Sequence, residues 1–371
     1  MTAPGSLTPL DHALAHLLDG LAPVRPVRMP VRDAIGLVAA ETVLAPGAVP
    51  AGAVALRDGI AVTSSDLVGA SAYAPALLMT APALVGIGDP LPAGCDAVLP
   101  ADAASSQGSF VEIGQAAYPG EGAALAGSDL GAGTAIIRPG ETVTATVALA
   151  LAVAGVSEIA VHRPVVRLPG GPLSPALDWL ADWLIGLGCA VEEDRQSETS
   201  LRLPNVSGGA ERKPADMLDS GAPPRSDISL LFHIPSGSTP LARGLALKPG
   251  DSAETGVSAS NQPIITLPPR FDGIVAVAHA LVLPLVARLT ARRVHRVTRP
   301  LTTKVTSTVG VTDVALLRSA DRGYDPLGAG RIALSALLAA DAIALIPPDS
   351  EGAAAGTPID AIPLTRPLIT Q

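Results

Sequence analysis

The chain has 371 residues, 48% hydrophobic and 16% charged, with a net charge of −9 from 34 acidic and 25 basic side chains. That length allows several domains, and the apolar share excludes wholesale disorder. Aromatics make up only 2%, so the core is built from Ala, Val, Leu and Ile. The acidic balance argues against nucleic-acid binding. The one dense basic run, residues 291–299, reads as a solvated helix end.

In chain order, no basic, apolar leader opens the sequence, so no signal peptide is expected. Leu10, Ala13, Leu14, Leu17, Leu18 and Leu21 recur at helical spacing, and Pro23 ends that helix. Residues 31–43 are a second amphipathic stretch, with Val31, Ala34, Val38 and Ala39 on one face. From 46 to 133, short apolar runs broken by Gly and Pro predict a separate β-rich module. Residues 139–154 predict a helix opened by Pro139-Gly140 and closed by Gly155.

A βαβ unit follows. Its parts are a strand at 163–168, the turn Pro169-Gly170-Gly171-Pro172, a helix capped by Ser174 and Pro175, and a strand from Cys189. Residues 204–225 read as a polar loop or a degraded helix. The run 227–233 predicts a buried strand that carries His233 as a core histidine. Ser236-Gly237-Ser238 then falls at its C-terminal end, where open α/β sheets bind ligands. Residues 263–268 predict another strand. The apolar segment 272–291 is nearly long enough to span a bilayer, but its Asp272, His279, Pro284 and Arg288 favour a buried helix, kinked at Pro284. Short strands return from about 294, with a short helix at 332–340. Cys95 and Cys189 lack metal-type spacing, and a reducing cytoplasm fits.

No phosphate-loop, dinucleotide or zinc-protease motif is present. The order of weaker motifs says more. Arg57-Asp58-Gly59-Ile60-Ala61-Val62 with Asp66, residues 86–98, Gly127-Ser128-Asp129-Leu130, Ala154-Gly155-Val156, Lys248-Pro249-Gly250, and Leu267-Pro268 before a Pro-containing helix follow one another. In that order and spacing they resemble the molybdopterin molybdotransferases, the MoeA and gephyrin E-domain family.

The resemblance implies an α/β multidomain fold. It comprises a doubly wound molybdopterin-binding domain (164–292), an inserted β-rich domain (46–133), a discontinuous linking helical/extended domain (1–45 and 134–163) and a C-terminal β barrel (293–371). It implies a cytoplasmic homodimer that binds adenylylated molybdopterin and inserts molybdate with Mg²⁺, without nucleic acid or membrane. A recipient molybdoenzyme or its chaperone is a further partner. Asp58, Asp129 and Lys248 are the candidate catalytic residues, Asp58 and Asp129 also as metal ligands. An Asx-turn or cap role serves the two aspartates equally well. Gly170, Gly171, Asp227, Ser236, Gly237, Lys248, Pro249, Gly250 and Pro268 are candidate cofactor-binding residues, because Gly-turn N–H groups cradle phosphate and cations hold oxyanions.

The departures from the family pattern are chemical. Asp251 stands where a second lysine is expected, the Gly170-Gly171 turn lacks the family's carboxylates, and Val311 replaces an arginine. The alternative to an enzyme is therefore a catalytically reduced carrier or scaffold that delivers cofactor to a molybdoenzyme. The cleft around Lys248 is either open and positive or plugged by Asp251, Arg270 and Arg331.

Overall fold

A computed structural model of the chain describes residues 7–108, 110–170, 174–194 and 226–364. Among these are two six-stranded sheets, and Lys248 lies in an edge strand of the second. The first runs in the order Ala190–Asp194, Val165–Pro169, Ile228–Leu231, Pro263–Thr266, Glu254–Val257, Thr239–Arg243. Its first four strands are parallel and its last two antiparallel. The parallel strands are short apolar runs because both faces are covered. Val166, Leu168, Ile228, Leu230, Ile265 and Leu267 are all buried there.

One side of that core comes from the helix Pro175–Gly186, which begins at Ser174 and Pro175 as expected. Leu177, Leu180 and Leu184 form its buried stripe, while Ile185, expected on that stripe, is exposed. The first helix, Leu10–Leu18, was grouped from the sequence with residues 134–163. It packs instead into the central core, through Leu10, Ala13 and Leu17.

The apolar segment Phe271–Leu289 is a core helix: 19 residues, long and apolar enough to cross a membrane, and mostly buried in the protein. Its middle turn, Ala278–Val282, is π-helical. Pro284 explains the widening. Proline offers no N–H to the carbonyl four residues back, and its ring presses on that turn. A π turn next to Pro284, where the kink is expected, absorbs the mismatch.

His279 lies in this turn. Its Nδ1 is 2.9 Å from the Val275 carbonyl, and its ring stacks on Trp179 and Trp183 at centroid distances of 6.3 and 5.1 Å. Burial pushes its pKa down from 6.5, so the folded chain holds it neutral while the unfolded chain protonates it. The stability this contributes is full above pH 6.5 and is lost as pH falls below it. The expected loss is at most about 1.4 kcal/mol per pH unit. His279→Leu should flatten the acid-side decline of the urea midpoint between pH 7.5 and 5.

The remaining elements frame this centre. Helix Ala145–Val153 starts later than the sequence predicts, because Thr144 caps it through Val147 N–H at 3.2 Å. Pro139-Gly140 before it forms a turn, with Gly140 at φ +83°. The amphipathic stretch 31–43 gives a 3₁₀ turn, Val31–Ala34, and leads into two short strands, with Val31, Ala34, Val38 and Ala39 all buried. Residues 46–133 are small antiparallel strands around Ile60, Val62, Leu99 and Ile113.

The second large sheet runs Leu247–Lys248, Thr312–Ala320, Ala342–Ile346, Pro358–Pro363, Val297–Pro300, with Gly323–Ala329 paired to Thr312–Ala320. A single bridge between Leu301 and Tyr324 brings its two ends together. The short helix expected at 332–340 is Leu334–Ala339.

Candidate functional site

The parallel strands place the first part of the site. Chain order moves from Val165–Pro169 outward to Ala190–Asp194, then back across to Ile228–Leu231 and Pro263–Thr266. The crossovers therefore diverge between Val165–Pro169 and Ile228–Leu231. A ligand crevice forms at the C-terminal ends of strands at such a switch point. Gly170 follows one of these strands, and Ser236-Gly237 lies in the loop after the other. Pro268 ends the neighbouring strand region. Gly237 has φ +87°, a backbone that a side chain would strain. Gly171 and the loop 204–225 lie outside the described residues.

His233 was expected in the core. The strand stops at Leu231, and Phe232 and His233 are exposed beyond it, at the crevice end. Asp227 lies at the other end of the same strand. Its N–H donates to the Val165 carbonyl and its Oδ2 accepts from Val165 N–H, both at 2.7 Å. Burial pushes its pKa up, against that hydrogen bond. It also raises the neighbouring thiol of Cys189, which burial takes up to about 12. Asp227 thus ties two strand starts together, at the edge of the sheet opposite Gly170 and Ser236.

Lys248 forms the second part. Strand Leu247–Lys248 pairs in parallel with Thr312 and Asp313 of the second sheet. The turn after it is closed by Leu245 N–H to the Asp251 carbonyl at 3.1 Å and Ala253 N–H to the Gly250 carbonyl at 3.0 Å. Gly250 has φ +127°, and a Cβ there would meet Leu247 at 3.1 Å and Val277 at 3.5 Å. From the helix side, a Cβ on Gly273 would lie 2.6 Å from Pro268 and 3.7 Å from the Gly250 Cα. The Lys-Pro-Gly turn, Pro268 and the first turn of the core helix are therefore one packed unit, although about 20 residues separate the motifs in sequence.

Lys248 opens onto a cavity of about 270 Å³, lined also by Thr306, Ser307, Thr308, Asp313, Gly330 and Arg331. Asp313 is 2% exposed. Its Oδ2 accepts from Ser307 Oγ and Thr308 N–H, both at 2.9 Å. Its Oδ1 is buried without a hydrogen-bond partner. Gly330 makes room for this carboxylate, since a Cβ there would lie 2.9 Å from Oδ1.

Asp251 and Arg270 do not line the cavity. Asp251 is exposed, and Arg270 pairs with Asp272 at 3.2 Å. The cleft is thus open, with Arg331 in its wall. The sequence signal for this wall was Asp313, a carboxylate inside the strand Thr312–Ala320, among the apolar residues Val314 to Leu317.

Asp58 and Asp129 belong to the inserted strands and do not line this cavity. Asp58 Oδ1 accepts from Ile87 N–H at 2.9 Å, joining two of the sequence motifs. Asp89 does the same for Gly86 at 2.8 Å, and Asp96 holds Ser64 through both oxygens at 2.7 Å. The Asp129 backbone N–H donates to the Val49 carbonyl. Among the described residues no group of three or more His, Cys, Asp or Glu could hold a metal ion. Within one chain, Asp58 and Asp129 do not by themselves fit a magnesium site.

The chain is thus a multi-sheet α/β protein with a switch-point crevice in one sheet and a cavity holding Lys248 and Arg331 on the other. Two solved structures of the molybdopterin biosynthesis moeA protein from Pyrococcus horikoshii share the fold. Their TM-scores are 0.69 and 0.65, each at 20% identity, covering 96% and 97% of this chain and 99% and 100% of theirs. A molybdenum cofactor biosynthesis protein from Pyrococcus furiosus matches at TM-score 0.55 and 15% identity, over 96% of this chain and all of its own. Residues 8–155 match the MoeA N-terminal region, domains I and II. Molybdopterin molybdenumtransferase 2 from two strains of Mycobacterium tuberculosis is 30% identical over 178 residues, 41% of this chain. That match spans 44% of the relative's length, less than half of it. The chain is thus similar to MoeA proteins in sequence over residues 8–155 and in fold over nearly its full length.

Proposed function

We propose that this protein acts in molybdenum-cofactor biosynthesis, binding molybdopterin in the switch-point crevice with its oxyanion end towards Lys248. The observation that carries this is the packing of the Lys248-Pro249-Gly250 turn against Pro268 and Gly273, which links the crevice to the cationic cavity. Backbone N–H groups after Gly170 and around Ser236-Gly237 would hold phosphate, as Gly-turns do. Lys248 would hold the oxyanion by a charge-assisted hydrogen bond. The curated relatives' name supports transfer of molybdenum to molybdopterin as the reaction.

A second reading is a carrier that retains cofactor without inserting metal. It is favoured by the Asp58 carboxylate being engaged by the Ile87 N–H and by the lack of a three-ligand metal group among the described residues. The homodimer and Mg²⁺ implied by the resemblance would need a second copy to bring Asp58 and Asp129 to this cavity. We derive no step through the metal. A cytoplasmic setting and a recipient molybdoenzyme go with both readings.

The test is incubation of the purified protein with adenylylated molybdopterin, Mg²⁺ and molybdate, following AMP release and ligand retention together. Retention with AMP release supports insertion. Retention alone supports the carrier, and no retention rejects both.

A further inference from the structure

The charges around the Lys248 cavity decide what it attracts. Lys248 contributes one positive charge and the buried Asp313 one negative charge. These two alone would cancel. Asp313 cannot leave the balance by turning away, because Ser307 and Thr308 fix one of its oxygens and Gly330 packs on the other. Its second oxygen is buried without a donor of its own. The family pattern places a second lysine at Asp251 and an arginine at Val311, and neither cation exists in this chain. Arg331 lines the same cavity, one residue beyond Gly330.

We infer that Arg331 supplies the second positive charge of this cavity and is the specificity-determining residue for a tetrahedral oxyanion there. The inference rests on the proposal that this cavity receives the oxyanion of the cofactor chemistry. With Arg331 the cavity carries one net positive charge, and without it none. An arginine and a lysine lining one cavity suit the several oxygens of a tetrahedral anion better than either alone. Arg331 reaches the cavity from the segment just after strand Gly323–Ala329.

Equilibrium dialysis of the full chain against sodium molybdate, with sulfate as a second probe and no pterin present, tests this. The wild-type protein should retain molybdate. Arg331→Ala should weaken retention at least about tenfold, and Arg331→Lys should restore most of it. Asp313→Asn, which keeps the acceptor for Ser307 and Thr308 but removes the charge, should tighten retention. Arg331→Ala binding molybdate as well as wild type overturns the inference, as does wild type binding none. Molybdopterin retention measured on the same samples separates the outcomes. Pterin retained without oxyanion sinks the role of Arg331 and leaves the proposed function standing, whereas loss of pterin retention by wild type sinks the proposed function.

Discussion

Lys248→Ala should lower retention of adenylylated molybdopterin plus molybdate by about 10–100-fold, the range expected when one charge-assisted hydrogen bond worth about 1.5–3 kcal/mol is removed. The thermal midpoint should change little. Lys248 is half-buried at the cavity, while the adjacent Leu247 and Gly250 carry the packing. The substitution also leaves Asp313 facing Arg331 alone, so the cavity becomes neutral. Lys248→Arg keeps the charge but changes its reach, and should recover only part of the binding. Unchanged retention in Lys248→Ala would remove this cavity from the ligand site.

Gly273→Ala should have the larger structural effect. A helix interior ordinarily gains from this change, because alanine is the better helix former by about 1 kcal/mol. Here the new Cβ would lie 2.6 Å from a Pro268 ring carbon that cannot rotate away. Overpacking of this kind costs about 1–3 kcal/mol, which exceeds the propensity gain. The expected net result is a lower urea midpoint with weaker ligand retention, because Pro268 and the Gly250 backbone move together. Gly186→Ala, at the end of another helix where a Cβ meets nothing within 4 Å, is the control and should raise the urea midpoint slightly while leaving retention unchanged. A Gly273→Ala protein as stable as wild type would show that the packed unit has slack.

Much of the scaffold was legible because it depends on local rules. The apolar runs at 163–168, 227–233 and 263–268 predict strands, and the structure forms them at Val165–Pro169, Ile228–Leu231 and Pro263–Thr266. The Leu177, Leu180, Leu184 spacing could only be a helix with one buried stripe. Where the reading slipped, two local signals competed. Pro139-Gly140 resembles a helix start, but Thr144 offers a side-chain cap that proline cannot. His233 follows an apolar strand in sequence, yet the sheet ends two residues earlier, where its neighbouring strands also stop pairing.

The site was less legible because its charges come from distant segments. Lys248 was visible through its turn. Asp251 beside it looked decisive in sequence, but the turn that closes Leu245 onto the Asp251 carbonyl leaves its side chain outside the cavity wall. Asp227 and Asp58 looked like ligand groups, and both bond backbone N–H groups of their own surroundings. By itself the sequence determined the apolar strands, the turns that glycine and proline impose, and the order of motifs that resembles the MoeA family. Only the tertiary structure decided which charges share a space. The pairing of Leu247–Lys248 with Thr312–Asp313 joins segments about 65 residues apart, and it brings Arg331 and Asp313 to Lys248. Charge balance in a cavity is a sum over neighbours in space, and no local pattern in the chain encodes it.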